Sequence, residues 1–319
     1  MEQALVIHPG ALGDVLLAIP ALRALRGSPE ARAVTLAAQP GIGSLMMALG
    51  VVDRAIAFDT LGIDTLFTDA ALRADAPVAR EVAATSRVVC WFGARDEHFT
   101  SRLRALAPGA VVAPPARGPA VWQHLLESVG APARAVDAGV VPTSVDVTPI
   151  TVASRDLDAG RSALRAAGWD GHSRLLIVHP GAGGATKRWP AEGFAEILAT
   201  ALRHEPDVTL VVHEGPADAT AVEDLRKLLK LTSLHLAHPS LATLAGALSL
   251  AAAYVGNDSG VSHLAAAVGT RSLVLFTEPL RPWLPWSHSA TCLTIDPREV
   301  IATERAAIAA ALARMMTMP

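Results

Sequence analysis

Lysine is almost missing from this 319-residue chain: only Lys187, Lys227 and Lys230 occur, and arginine supplies the rest of the positive charge. A formal net charge of −3 excludes the basic field that a nucleic-acid partner would need. Cysteine is nearly as scarce. Cys90 and Cys292 stand far apart, without Cys-x-x-Cys or Cys/His spacing, which excludes a disulfide scaffold and a zinc cluster and predicts two buried free thiols in a reducing compartment. Long apolar runs are lacking too. The longest uncharged apolar stretch, residues 241–255, falls short of the roughly 20 residues a membrane span requires. The first residues carry no basic segment or cleavage pattern, so no signal peptide is expected. The expected location is cytoplasmic, with peripheral contact at the inner face of the membrane compatible with it. Against so little lysine, a lysine inside a glycine-rich motif stands out.

What is present is a core: 51% of residues are hydrophobic and 18% charged, enough for two domains of ordinary size. Short apolar runs at 4–8, 33–37, 87–91, 175–179, 209–213, 254–256 and 272–276 alternate with helical patterns at 15–26, 190–203, 217–229 and 241–250. Continuous apolar strands between helices predict parallel sheets covered on both faces. One segment echoes another: Leu5-Val6-Ile7-His8-Pro9-Gly10-Ala11 returns as Leu176-Ile177-Val178-His179-Pro180-Gly181-Ala182. The 171-residue offset between His8 and His179 is far too long for a solenoid and predicts two α/β domains opening with the same strand–loop–helix unit. The linker is expected within 139–153, which holds Pro142 and Pro149 and no helical period. The predicted domains are 1–150 and 151–296, followed by a helix at 297–318. Open α/β sheets bind ligands beyond the carboxyl ends of their strands.

Three loops carry chemistry. In Gly10-Ala11-Leu12-Gly13-Asp14-Val15, glycines admit close backbone approach and a following helix start favours an anion. Asp14 reads either as a first-turn or capping carboxylate or as a base able to take a proton from a hydroxyl. In Gly181-Ala182-Gly183-Gly184-Ala185-Thr186-Lys187-Arg188-Trp189-Pro190, Lys187 would face a phosphate; the ordinary alternative is an exposed basic pair. In Gly256-Asn257-Asp258-Ser259-Gly260-Val261-Ser262-His263, amides at a helix start suit a phosphate. The ordinary readings here are an N-cap for Asp258 and a core histidine bonded to backbone for His263. The dinucleotide fingerprint fails, with G-x-x-G spacing and no acid following, and the P-loop fails because Thr186 precedes Lys187. Asp156-Leu157-Asp158 has the form of a metal-binding D-x-D but reads as a helix cap, so no metal is expected.

Together these segments resemble the heptosyltransferase family of GT-B glycosyltransferases. The likeness rests on Gly13-Asp14-Val15 followed by Pro20-Ala21-Leu22, on His179 through Pro190 with Phe194, and on Asn257 through Ala266. It implies two doubly wound Rossmann-like domains facing across a cleft, the first for the acceptor and the second for the donor, with the carboxy-terminal helix packing back on the first. It implies Asp14 as catalytic base beside Gly13 at the acceptor, and Lys187 on the donor phosphates. Gly181, Gly183, Gly184, Thr186, Asp258, Ser259, Gly260 and His263 would surround the diphosphate and sugar, and Asp218 would contact the nucleoside. The implied reaction is metal-independent, inverting transfer of a sugar, heptose from ADP-heptose, to a glycan or lipopolysaccharide-core-type acceptor, by a monomer needing no cofactor. Rival readings are a non-catalytic nucleotide-sugar-binding protein and an NAD-type dinucleotide enzyme. The sequence departs from the family pattern in three places. Its amino-terminal half has no lysine, leaving arginines such as Arg54, Arg95, Arg102 and Arg117 for any anionic acceptor; Glu278 stands where aspartate is expected; and Pro282-Trp283-Leu284-Pro285-Trp286 is unusual.

Overall fold

The computed structural model describes residues 2–29, 31–131, 146–203, 205 and 207–317. The chain divides into two compact units, Met1–Val147 and Thr148–Pro319. The first part of the expected linker, residues 139–145 with Pro142, lies outside the described residues, as does Met318.

The first unit runs β1 (Gln3–Ile7), α1 (Leu12–Leu17), α2 (Ile19–Arg26), β2 (Ala33–Ala38), α3 (Pro40–Ala48), β3 (Arg54–Ala57), α4 (Pro77–Ala83), β4 (Arg87–Cys90), α5 (Glu97–Leu106), β5 (Val111–Val112) and α6 (Val121–Ser128). Its five strands lie in the order β3-β2-β1-β4-β5, all parallel. The second unit runs α7 (Ser154–Ala166), β6 (Arg174–His179), α8 (Ala191–Ala201), β7 (Val208–Glu214), α9 (Ala219–Leu228), β8 (Ser233–Ala237), α10 (Leu241–Leu250), β9 (Ala253–Asn257), α11 (Gly260–Ala267), β10 (Ser272–Phe276), β11 (Ala290–Thr294) and α12 (Ala302–Thr317). Its six strands lie in the order β11-β10-β9-β6-β7-β8, again parallel. Each sheet reverses its winding beside its first strand, between β1 and β4 and between β6 and β9. The echoed segment is therefore the strand at the switch point in both units, where doubly wound sheets hold their ligands.

The interior strands are apolar because both faces are covered: β1, β2, β6, β9 and β10 are buried along nearly their whole length. In the second unit Leu176, Val178, Phe194, Leu210, Val255 and Leu275 form one core, each full burial contributing roughly 1.5–3 kcal/mol. On another surface of this unit, α7 and α10 cross closely enough that a Cβ on Gly160 would come within 2.3 Å of the Ala247 nitrogen, and one on Gly246 within 1.9 Å of the Asp156 carbonyl oxygen. Only glycine fits at either point.

Four expectations are corrected. The pattern at 15–26 is two helices, α1 and α2, broken at Ala18, because Pro20 in the first turn of α2 has no N–H to continue α1. The carboxy-terminal helix begins at Ala302, not at Pro297, and puts Ile308, Leu312, Met315 and Met316 into the core of the second unit. Its apolar face matches the exposed flank of α8 and of the central strands. Asp156 is a first-turn residue of α7, whose N-cap is Ala153, and Asp158 pairs with Arg161 at 2.7 Å; neither carboxylate caps the helix. Both cysteines are free, but only Cys90 is buried; Cys292 is half-buried on β11. Among the described residues no helix is long and apolar enough to cross a membrane.

Candidate active site

At the first switch point, β1 is followed by buried His8. Gly10 N–H donates to His8 Nδ1 at 3.4 Å, which leaves Nε2 as the donor toward the Asp14 carbonyl oxygen at 3.3 Å. Burial pushes the His8 pKa down to about 4, only partly opposed by the Asp14 charge, so the ring is neutral near pH 7. Gly10 allows this packing: a Cβ there would meet His8 Cε1 at 2.8 Å and Asp14 Cβ at 3.0 Å. Asp14 lies in the first turn of α1, whose N-cap is Ala11, and is half-buried beside Gly13. Asp14 is thus a first-turn carboxylate and not the cap, half-exposed at the switch point.

At the second switch point the loop after β6 is longer, and α8 starts only at Ala191. Asn257, the last residue of β9, closes it. Asn257 Nδ2 donates to the Pro180 carbonyl oxygen at 2.8 Å, and Trp189 N–H donates to Asn257 Oδ1 at 3.0 Å. One buried amide thereby fixes both ends of the glycine loop. A Cβ on Gly181 would fall 2.0 Å from Asp218 Oδ1, whereas one on Gly183 or Gly184 would meet nothing within 4 Å. The fold requires the first glycine; the other two leave exposed backbone that a ligand can approach. Lys187 follows in a single turn of 3₁₀ helix, Ala185–Lys187, with Thr186 exposed.

Lys187 Nζ donates to Asp258 Oδ2 at 2.9 Å, and His263 Nε2 stands 3.6 Å from Asp258 Oδ1. Burial disfavours an ionised Asp258, but the hydrogen bonds and charge of His263 and Lys187 outweigh it and hold the carboxyl below its ordinary range. Asp258 is therefore not the N-cap. Ser259 is: its Oγ accepts from Ser262 N–H at 3.3 Å. His263 bonds to a carboxylate, not to backbone. Gly260 and Val261 open α11 half-buried, so the unpaired amides of this first turn stand next to the only lysine of the loop.

Asp218 sits deeper than a nucleoside contact implies. It is 8% exposed, accepts from Gly215 N–H at 3.1 Å and lies 3.7 Å from His179 Nε2. His213 Nδ1 lies 3.0 Å from His179 Nδ1, one ring donating and the other accepting. Burial pushes both histidines below their ordinary pKa, and their mutual repulsion lowers His213 further. The contacts of this buried His–His–Asp group and of the Asn257 bridge escaped sequence reading because they join β6, β7 and β9 and the segments that follow β6 and β7, far apart in the chain.

A cavity of about 730 Å³ opens beside the loop, lined by Thr186, Lys187, Glu278, Leu280, Asp296 and Arg298 among others. Of this set, Thr186, Lys187 and Glu278 stood out in the sequence, and Leu280, Asp296 and Arg298 did not. Among the described residues, no three His, Cys, Asp or Glu side chains gather where they could hold a metal ion.

The profile of glycosyltransferase family 9 (heptosyltransferase) matches residues 123–309. The chain belongs to glycosyltransferase family 9. No curated protein matches it significantly by sequence. Its fold is shared with a glycosyl transferase family 9 protein from Veillonella parvula DSM 2008, at 19% identity, covering 92% of this chain and 86% of that one, with a TM-score of 0.69. It is shared with the E. coli ADP-heptose lps heptosyltransferase II, at 18% identity, covering 98% of each chain, TM-score 0.71. The E. coli heptosyltransferase WaaC, solved with ADP, matches at 17% identity over 98% of this chain and 99% of that one, TM-score 0.64. This family 9 member is thus a glycosyltransferase built from two parallel-sheet α/β units of the GT-B kind, and the dinucleotide-enzyme alternative gives way.

Proposed function

We propose that this enzyme transfers a heptose from ADP-heptose, with inversion and without a metal, to a glycan or lipopolysaccharide-core-type acceptor. The observation that carries the reading is Lys187 held against Asp258 beside the α11 start at the sheet's switch point. That is a cation and a set of amides where a diphosphate would sit. The ADP held by WaaC, a structural relative, supports an adenosine diphosphate leaving group.

In the proposed reaction the donor binds to the second unit. Asp14, on the first, takes the proton of an acceptor hydroxyl as its oxygen attacks the anomeric carbon. The bond from that carbon to the phosphate oxygen breaks, and its electron pair stays on the departing ADP. Lys187 and the amides of Gly260 and Val261 stabilise the charge that develops there. Asp258 sets the position of Lys187 before the donor arrives, and His263 compensates the carboxylate once the lysine turns to phosphate. Gly183, Gly184, Thr186 and Ser259 line the donor, Asp218 supports the loop beneath the nucleoside, and Gly13 keeps the acceptor approach to Asp14 open. The enzyme would work as a monomer at the cytoplasmic face of a membrane.

Two measurements test this. A thermal-shift panel of ADP, GDP, UDP, NAD and ADP-heptose should show selective stabilisation by ADP and ADP-heptose. A ligand at 100 times its Kd adds about 2.7 kcal/mol. The Asp14→Asn variant should lose turnover by about 10²–10⁴-fold and keep the ADP shift. A response to NAD alone would sink the reading, and near-normal turnover of the variant would remove Asp14 from the base role.

A further inference from the structure

The cavity beside Lys187 lies wholly within the second unit, and its position in the sheet gives it a direction. The loops after β10 and β11 build its walls, with Thr186 and Lys187 at its near end. In the strand order β11-β10-β9-β6-β7-β8, Lys187 follows β6 and Asp258 follows β9, so this pair stands over the middle of the sheet. The cavity extends from it toward β11. Asp218, after β7, lies on the opposite side. Phe276, the last residue of β10, meets His263 edge-on with ring centroids 6.5 Å apart. That contact sets the start of the cavity wall against the Lys187–Asp258–His263 group. The chain then turns at Thr277 into a short 3₁₀ helix, Glu278–Trp283, with Pro279 stiffening its first turn.

The polar groups of the cavity differ in how far they are already engaged. Asp296 takes two hydrogen bonds from Arg298, at 2.9 and 2.5 Å, and its N–H donates to Glu304 at 3.2 Å. Lys187 is held by Asp258. Glu278 is held only loosely. Thr294 Oγ1 donates to its Oε2 at 3.5 Å, and Arg281 Nε stands 3.9 Å from its Oε1. Its side chain is 72% exposed, so these contacts are weak and a ligand hydroxyl can replace them. Threonine hydroxyls and the aliphatic side chains of Leu280, Ile295 and Ile301 complete the lining, and none of its described residues is aromatic. The far side of the sheet differs: His235 on β8 and His238 after it both face Glu214, at 2.8 and 3.3 Å. Flat rings suit a nucleobase, which gains by stacking. Hydroxyls, a loosely held carboxylate and aliphatic surface suit a sugar.

We infer that Glu278 is the residue that selects the transferred sugar, its carboxylate accepting hydrogen bonds from the sugar's hydroxyls where the cavity extends from Lys187 toward β11. Hydrogen bonds to a charged acceptor are roughly twice as strong as neutral ones, and a site built to bind a hydroxyl rejects an analogue lacking it far better than an apolar wall does. The volume of about 730 Å³ falls in the range of small-molecule pockets. The inference rests on the proposed donor, with Lys187 on its diphosphate and the nucleoside toward β7.

Calorimetry on the full chain, without acceptor, tests it by comparing ADP-heptose with ADP. The two ligands differ only in the sugar, so the ratio of their Kd values isolates it. ADP-heptose should bind the parent more tightly than ADP. Glu278→Leu should cut that preference about tenfold, the worth of a hydrogen bond to a charged group. Glu278→Gln, which keeps an accepting oxygen, should lose less. Since Glu278 is exposed, both variants should melt as the parent does. Equal affinity of the parent for the two ligands, or variants that keep the preference, would overturn the inference and leave the nucleotide site standing. A fall in ADP affinity as large as that in ADP-heptose affinity would also overturn it, by placing the nucleoside in the cavity. A parent that binds neither ligand would strike down the proposed donor and this inference with it.

Discussion

The two His-Pro-Gly-Ala loops start alike and end differently. Both follow the switch-point strand of a parallel sheet, and both hold a buried histidine below its ordinary pKa. After the first, α1 begins at Leu12 and places Asp14 at once in a helix start. After the second, the chain runs on to Ala191 before α8, and the added residues bring Gly183, Gly184 and Lys187. A short connection presents a carboxylate, suited to moving a proton. A long one presents backbone and a cation, suited to holding an anion. The same strand–loop unit thus presents opposite charges, through different residues on connections of different length.

The comparison breaks most sharply at Gly181. Its alanine variant puts a methyl group 2.0 Å from Asp218 Oδ1, and chemical denaturation should show a loss of about 3 kcal/mol or more, at the upper end of overpacking costs. Lys187→Met leaves buried Asp258 with His263 alone. Since Lys187 is 34% exposed and Asp258 6%, the loss should fall between surface and buried pairs, about 1–3 kcal/mol, and the ADP-induced thermal shift should disappear. The Asp258 pKa is depressed when folded, so its contribution exists above the ordinary carboxylate range and is lost as pH falls. Without Lys187 that loss should begin at higher pH.

His8 sharpens the comparison from the other side. Its folded pKa of about 4 lies below the ordinary 6.5, so between these values the unfolded chain binds the proton that the folded one refuses. Stability is full above pH 6.5 and declines toward pH 4. Unfolding free energies from urea titrations at pH 7 and pH 5 should differ by about 2 kcal/mol more in the parent than in His8→Gln. The smallest effect is expected at Gly183→Ala. Its methyl group meets nothing within 4 Å, so stability should hold within about 0.5 kcal/mol, while ADP affinity should fall because the ligand needs that space.

The strands legible in sequence were those with both faces covered. The ones missed, β3, β5, β8 and β11, are the edges of the two sheets. They are half-exposed along most of their length, so they carry no continuous apolar run. The site divides in the same way. Gly181, Lys187, Asp258, Ser259 and His263 lie in contiguous motifs and could be read directly. The partners that fix them, Asn257 on the glycine loop and His213 beside His179, lie on strands 68–77 and 34 residues away, and no local pattern records such a pairing.

By itself, the sequence determined two parallel-sheet units, the loops that bear the chemistry and the family, because apolar periodicity and glycine-rich strand ends are local properties of the chain. Only the tertiary structure decided that Ser259 and not Asp258 caps α11, that Asp218 is turned inward against Gly181, and that α12 joins the second core. Each of these depends on which side chains from distant strands compete for the same buried space or the same donor, and that competition exists only once the sheets have formed.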